Sequence, residues 1–280
     1  MVTNAFPVNE AKPLIEIPTN IPQIGFLGGE QGKEIDASVK RDYKDFPVMQ
    51  VGNYSNGIVK GSNPFYVVGV QSKLPAGIRV STQGDLETAM RIANGLNLRG
   101  TYEDTGLVLR TEGNPNSYLA QNLMKQVKDR NGKRTRMPVM IPLYGIELVK
   151  DQNSPQGLAF KLKDDAEIVY APILREGGNF SSEDVNIQTG LPKRLGKGDR
   201  TLYTISEGLS GWCLGRDLGL GSSGSDLADS SDYGRVVVVG AEGTASNFDK
   251  YLIELKKIKD TEDAELQGRF KKAEAVLKGK

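Results

Sequence analysis

Two clusters of basic residues carry the chemistry that the sequence most clearly offers. The only acidic residue inside the first cluster is Asp129, and an Asn131-Gly132 turn divides that cluster. Cations grouped in this way attract phosphate groups, and a turn projects them outward together. The first cluster consists of Lys125, Lys128, Arg130, Lys133, Arg134 and Arg136. The second consists of Lys193, Arg194, Lys197 and Arg200.

Aromatic residues lie near both clusters in the sequence. Tyr144 follows the first cluster, Tyr203 follows the second, and Trp212 lies in a glycine-rich segment beyond it. A groove for single-stranded nucleic acid combines cations that follow the phosphates with rings on which bases stack, each stacked base contributing about 1–3 kcal/mol. The sequence therefore predicts that these cations and rings bind single-stranded nucleic acid. Two plainer interpretations stay open, because the first cluster could be a solvated helix end and Trp212 could anchor its own loop.

Several kinds of catalytic site are excluded by composition. The chain has no histidine and a single cysteine, Cys213. A Ser-His-Asp triad, a Cys-His dyad, a zinc site and an intramolecular disulfide are therefore ruled out. The spacing of Asp226, Asp229 and Asp232 fits no calcium-binding loop. We expect a protein that is not an enzyme and uses no cofactor or metal; the remaining catalytic alternative is an enzyme that acts through carboxylates and a divalent metal.

The overall composition is that of a neutral globular protein. The 280 residues include 36 Lys and Arg against 35 Asp and Glu, which excludes a polycation but permits a local basic face. No signal peptide and no apolar run of about 20 residues is visible in the sequence. We therefore expect a cytoplasmic protein without a membrane partner.

The elements that must position the basic and aromatic residues are mostly strands. One helix is predicted over 85–93 with Thr82 as its N-cap, and a second has an inner face of Leu119, Leu123 and Val127. Apolar, β-branched runs bounded by Gly, Asn and Pro predict the strands. They are expected at 46–51, 65–70, 107–109, 137–149, 158–162, 167–174, 201–205 and 235–240.

These elements predict a chain in three parts. Residues 1–25, with four prolines, indicate an extended N-terminal arm. Residues 26–243 form a β-rich core domain with a mobile Gly/Ser/Asp-rich loop at 208–234. Residues 244–280 form two C-terminal helices that would mediate self-association. The expected fold class is α+β, with peripheral helices around the β-rich core.

A resemblance to a known family bears on the central region. The basic run of Lys133–Tyr144 leads into a long strand, and Gly157–Leu162 follows after a turn. In this respect residues 100–175 resemble the single-stranded-DNA-binding proteins of phages and plasmids. The resemblance implies an OB-like barrel with aromatic side chains in a positive groove. The chain ends in the basic Lys278-Gly279-Lys280, whereas some members of that family carry an acidic tail that recruits partners.

The sequence thus favours a non-catalytic, sequence-independent binder of single-stranded nucleic acid, with DNA as the first candidate, that forms a homo-oligomer. The alternative is a structural or assembly subunit of a virus-like or other large complex. The proline-rich arm, the glycine-rich loops and the neutral charge all suit such a subunit.

Overall fold

A computed structural model describes residues 23–91, 96–132 and 135–240, together with Leu266 and Gly268. Nearly all of the predicted N-terminal arm and of the two predicted C-terminal helices lies outside the described residues. Lys133 and Arg134 of the first basic cluster also lie outside them.

Between residues 23 and 240 the described chain forms four α-helices and fifteen strands. The helices are α1 (Gly29–Asp42), α2 (Pro64–Gln71), α3 (Gln83–Arg91) and α4 (Ser117–Asn131). The strands are β1 (Gln23–Phe26), β2 (Asn53–Ser55), β3 (Ile58–Lys60), β4 (Ile78–Val80), β5 (Tyr102–Leu109), β6 (Val139–Pro142), β7 (Ile146–Lys150), β8 (Leu158–Leu162), β9 (Val169–Tyr170), β10 (Gly178–Phe180), β11 (Arg200–Thr204), β12 (Leu209–Leu214), β13 (Leu220–Ser222), β14 (Gly234–Arg235) and β15 (Val237–Gly240).

One large sheet organises the fold. Its strand order is β10-β11-β13-β12-β5-β14-β3-β2, and β6 pairs with both β5 and β9. Most pairs are antiparallel, while β11 with β13 and β14 with β5 are parallel. A three-stranded sheet, β1-β15-β4, and a hairpin of β7 and β8 complete the β structure. The described chain is therefore a mixed α and β protein with a sheet-rich core, and its large sheet is open where a barrel would be closed.

The central strand β5 supplies side chains to two hydrophobic cores. Leu107 and Leu109 point into a first core, which α2, α4 and the β7–β8 hairpin cover. Val108 points the other way, into a second core with Trp212 and residues of α3 and β11. Successive residues of a strand face opposite sides of its sheet, so a single strand serves both cores.

Several sequence-based predictions of secondary structure are confirmed. The helix expected at 85–93 is α3. At its start the Thr82 hydroxyl accepts a hydrogen bond from the Asp85 N–H at 3.2 Å, and the Asp85 carboxylate accepts one from the Thr82 N–H at 2.7 Å. This reciprocal pair is the capping-box arrangement that begins many helices. The second expected helix is α4, and the strand expected at 158–162 is β8.

Two predicted strands are wrong. Residues 65–70 belong to helix α2, in which every residue from Pro64 to Val70 is buried. A helix buried all round shows no polar periodicity, so its apolar run looks like a buried strand. The helix begins there because the Asn63 side chain accepts from the Tyr66 N–H and Pro64 occupies the first turn. Residues 46–51 hold a short 3₁₀ helix, Pro47–Met49, and helix α1 has no counterpart among the predictions.

The Gly/Ser/Asp-rich segment 208–234 holds regular structure where a mobile loop is predicted. It includes β12, β13 and the first residue of β14. Its irregular part, residues 223–233, is fastened to the rest of the protein by the buried Leu227 side chain and by hydrogen bonds, among them one from the Tyr102 N–H to the Tyr233 carbonyl at 3.1 Å. Four further bonds join Asn116 Nδ2 to the Ser225 carbonyl, Asn63 Nδ2 to the Ala228 carbonyl, the Ser62 N–H to Ser230 Oγ, and the Ser231 N–H to Tyr102 Oη.

Candidate nucleic-acid interface

The described residues of the first basic cluster lie at or just after the exposed carboxyl end of α4. Lys125 and Lys128 are both exposed, and Lys128 Nζ lies 2.6 Å from Glu112 Oε1. Such an exposed ion pair contributes little to stability, so the lysine remains available to a stronger anionic partner. This end of the helix therefore presents at least two accessible cations.

Three further side chains gather beside that helix end. Arg130 donates to the Lys163 carbonyl and, at 3.1 Å, to the Ala166 carbonyl. The Arg136 guanidinium lies 6.0 Å from the centre of the Tyr170 ring, which is 41% exposed. Pairing of β6 with β9 places Tyr170 opposite Val139 and so brings the ring next to the segment that carries Arg136.

Arg175 completes this group, which we call the helix-end surface: Arg130, Arg136, Tyr170 and Arg175. Its guanidinium is exposed and donates to the Met137 carbonyl at 2.9 Å. Three exposed carboxylates, those of Asp164, Asp165 and Glu167, lie in the same part of the chain. The helix-end surface is therefore an arginine and tyrosine cluster with acidic neighbours, rather than a uniformly positive strip.

Tyr144 lies in a partly buried network instead of an open groove. Its hydroxyl donates to Glu167 Oε2 at 3.3 Å, and the Arg79 guanidinium lies 5.3 Å from its ring centre. Arg79 is itself held by two hydrogen bonds to the Asp85 carboxylate. Burial raises the pKa of the Tyr144 hydroxyl, and the neighbouring Glu167 carboxylate raises it further. One face of the Tyr144 ring is thus already occupied by a cation.

The second basic cluster does not form one surface, because three of its side chains are exposed and the fourth, that of Arg200, is buried. Lys193 and Lys197 are exposed, and Arg194 forms an exposed ion pair with Asp184 at 2.8 Å. Arg200 points inward from β11, where both of its terminal nitrogens lie 2.7 Å from the Glu87 carboxylate. The interpretation of Arg200 as a phosphate ligand therefore needs correcting, because its guanidinium is buried and already neutralised.

The two remaining aromatic candidates lie on opposite faces of the sheet. Trp212 is 1% exposed and packs in the second core, so its ring is not accessible for stacking. The plainer interpretation of Trp212, a buried anchor, fits this position. Tyr203 lies on the other face and is 48% exposed.

Four accessible side chains were not among the candidates identified from the sequence. They are Tyr170, Arg175, Arg216 and Tyr233. The Arg216 guanidinium lies 3.6 Å from the centre of the Tyr233 ring, which is 48% exposed. Arg216 is isolated in the sequence and meets Tyr233 only through the fold, so a search for dense basic clusters misses this pair.

Two neighbouring acidic residues lie near the start of β5, Glu103 buried and Asp104 half-buried. Burial raises the pKa of the Glu103 carboxyl to about 8 and that of the Asp104 carboxyl to about 6. Glu103 accepts from the Thr101 hydroxyl at 2.6 Å, and Asp104 accepts from the Ser62 hydroxyl at 2.5 Å. Within the described ranges, no three acidic or cysteine side chains are grouped so that they could hold a metal ion.

Comparison with known proteins identifies no family for this chain. No protein-family model, no curated protein and no solved structure matches this chain. Among the described helices, none is both long and apolar enough to cross a membrane. The function is therefore inferred from the chemistry of the exposed side chains.

Proposed function

We propose that this protein binds single-stranded nucleic acid, without sequence preference, through the helix-end surface. The observation that carries the proposal is the pairing of the exposed Arg136 guanidinium with the exposed Tyr170 ring. An unstacked base can lie on such a ring or on the guanidinium plane, while the positive charge attracts the neighbouring phosphate. Bases inside a duplex have no free face to offer, so the surface suits a single strand.

Arg130 and Arg175 support the proposal because their guanidinium groups are already positioned. Arg130 donates to two carbonyls and Arg175 to one, which fixes each group at the surface. A guanidinium has five N–H donors, so both retain donors for a phosphate oxygen. A pre-positioned side chain loses less conformational entropy on binding than a free one.

The proposed contacts are to phosphates and ring faces, which all nucleotides share. We therefore expect binding that depends strongly on salt and weakly on base composition. Each phosphate contact adds about 0.7 to the slope of log affinity against log salt concentration for a single strand. The acidic neighbours Asp164, Asp165 and Glu167 limit the number of such contacts.

The test is a fluorescence-anisotropy titration with labelled poly-dT, poly-rU and duplex oligonucleotides at two salt concentrations. Arg136→Ala and Tyr170→Ala should each weaken single-strand binding about fivefold or more, since one stacked base contributes about 1–3 kcal/mol. Tyr170→Phe keeps the ring and should bind like wild type. Arg41→Ala removes an arginine that is 72% exposed on α1 and serves as the matched control.

Two outcomes would overturn the proposal. One is affinity that does not change with salt, and the other is equal binding by Arg136→Ala, Tyr170→Ala and Arg41→Ala. An assembly subunit would instead form a large particle without nucleic acid in size-exclusion chromatography with light scattering. The ratio of poly-dT to poly-rU affinity tells which nucleic acid is preferred.

A further inference from the structure

Arg110 is a buried cation whose charge the described protein does not neutralise. Its side chain is 6% exposed. Its guanidinium donates to the carbonyls of Val108 and Ser222 and to the hydroxyls of Thr204, Ser210 and Ser222, all of which are neutral. Among the described residues no carboxylate forms an ion pair with Arg110. Buried charges in proteins are normally paired, so Arg110 is an exception that calls for an explanation.

One N–H group of the Arg110 guanidinium is unused. The two terminal nitrogens make all the hydrogen bonds just named, whereas the buried Nε has no acceptor. Burial lowers the pKa of the Arg110 guanidinium to about 10, and no neighbouring charge counters that effect. The group is still positive at neutral pH. Because buried donors nearly always have a partner, the Nε–H is directed at a position suited to an acceptor with negative charge.

The large sheet brings Arg110 and the three hydroxyls together. Strands β5, β11 and β13 run in the same direction, since β12 is antiparallel to both β5 and β13 and β11 is parallel to β13. Arg110 follows the last residue of β5, and Thr204 and Ser222 are the last residues of β11 and β13. Ser210, the second residue of β12, completes the group. We call these four residues the Arg110 site.

Thr204 is the member of the Arg110 site that contacts solvent most. It is half-buried, whereas Ser210 and Ser222 are fully buried. The chain becomes exposed just beyond the strand ends, at Thr111, Ser206 and Ser223. A ligand therefore approaches the guanidinium from this end of the sheet, beside the Thr204 hydroxyl.

The charged side chains around this end of the sheet permit an anion to approach. The carbonyl of the residue before Arg175 accepts from the Thr204 hydroxyl at 2.9 Å, so the exposed Arg175 adds a second cation nearby. Glu112 is already paired with Lys128. Glu207, in the turn between β11 and β12, is exposed, and solvent screens its charge.

We infer that the Arg110 site binds a phosphate group, one oxygen of which accepts from Arg110 Nε while others accept from the hydroxyls. A hydroxyl can rotate to direct its proton at a ligand, and guanidinium–phosphate hydrogen bonds are among the stronger ones in proteins. A phosphate has more oxygens than the two of a carboxylate, which suits a guanidinium surrounded by three hydroxyls. The inference goes beyond the proposed function, because a free phosphate, a phosphomonoester and a nucleic-acid backbone all present this chemistry.

The test measures the melting temperature in rising concentrations of inorganic phosphate, with the ionic strength held constant by sodium chloride. At a phosphate concentration ten times its Kd, the melting temperature of wild type should rise by about 3–6 °C, because phosphate stabilises the folded state that binds it. Arg110→Met should abolish the rise. Arg41→Met, which changes an exposed arginine on α1, is the matched control and should show the same rise as wild type.

A second variant keeps the test decisive if Arg110→Met does not fold. Thr204→Val preserves the charge and the side-chain volume but removes the most accessible hydroxyl. Titration calorimetry should show its Kd for phosphate raised about tenfold or more, since hydrogen bonds to charged groups contribute about 1.5–3 kcal/mol. Thr204→Ser keeps the hydroxyl and should bind phosphate like wild type.

Three results would each overturn the inference. The first is a wild-type melting temperature that does not respond to phosphate. The second is an equal rise in wild type and Arg110→Met, which would be a general salt effect. The third is an equal rise with acetate in place of phosphate, which would assign the site to carboxylates.

Competition with an oligonucleotide identifies the source of the phosphate. A labelled dT oligonucleotide without terminal phosphates is titrated at constant ionic strength, with and without inorganic phosphate. Competition by phosphate in wild type but not in Thr204→Val assigns the site to the strand backbone, whereas phosphate binding without competition assigns it to a free phosphate or a phosphomonoester. If phosphate binds and the oligonucleotide does not, the proposed function fails while the Arg110 site stands.

Discussion

The buried ion pair between Arg200 and Glu87 allows a quantitative prediction. The two side chains are 5% and 3% exposed, and two hydrogen bonds of 2.7 Å join them. Arg200 Nε also donates to the Leu218 carbonyl. Replacing Arg200 by methionine keeps much of the side-chain volume but leaves the Glu87 carboxylate buried without its partner.

The expected loss of stability follows from that unpaired carboxylate charge. Removing one partner of a buried ion pair typically destabilises a protein by about 3–5 kcal/mol. In a domain of 150–250 residues, 1 kcal/mol lowers the melting temperature by about 2–4 °C, so Arg200→Met should lower it by roughly 6–20 °C. Replacing Glu87 by methionine as well should recover part of the loss, because the pair is then exchanged for apolar groups.

Thermal and urea unfolding followed by circular dichroism measure this effect. Arg41→Met, which changes an exposed arginine, is the matched control and should leave the melting temperature within experimental error. The same variants are then titrated with oligonucleotide at a temperature where all are folded. An Arg200→Met protein of unchanged stability but reduced affinity would refute the reasoning and return Arg200 to the binding surface.

Three further predictions use other parts of the fold. Because burial raises the pKa of Glu103 from 4.5 to about 8, the folded protein keeps a proton that the unfolded chain has lost between those values. Its stability to urea should fall as pH rises from about 4.5 to about 8, and parallel pH profiles of Glu103→Gln and wild type would contradict this. Thr82→Ala removes the N-cap of α3 and should lower the free energy of unfolding, measured in urea, by about 1 kcal/mol. Thr82→Ser keeps the hydroxyl and should lower it much less. Equal losses for the two variants would disprove the capping role. Trp212 is the sole tryptophan, so its emission should stay unchanged when oligonucleotide binds and shift to the red on unfolding; quenching by the oligonucleotide would place the ring at the interface.

The helices and strands were predictable where one side of an element faces solvent. Helices α3 and α4 have apolar residues on one face, and α3 also begins with a capping sequence. Helix α2 has no polar face, so only its Asn63-Pro64 start distinguishes it from a strand. Periodicity therefore identifies half-buried elements and fails for fully buried ones.

The candidate site was predictable only in part because the sequence does not tell which side of a strand a residue faces. Arg200 and Tyr203 are three residues apart on β11, yet one is buried beside Glu87 and the other is exposed. The Arg136–Tyr170 and Arg216–Tyr233 pairs join residues distant in sequence. Strand pairing creates these contacts, and a linear search for charge clusters cannot identify them.

The fastening of residues 223–233 has a practical consequence for work on this protein. Their composition is that of a linker, which is where an experimenter would normally insert a tag or look for the first proteolytic nick. A protease or an inserted peptide would instead have to extract Leu227 and release the bonds to Ser62, Asn63, Tyr102 and Asn116. The Ser230 hydroxyl and the backbone groups of Ser225 and Ser231 make three of these bonds, so a serine-rich composition here marks a clasp between distant parts of the chain.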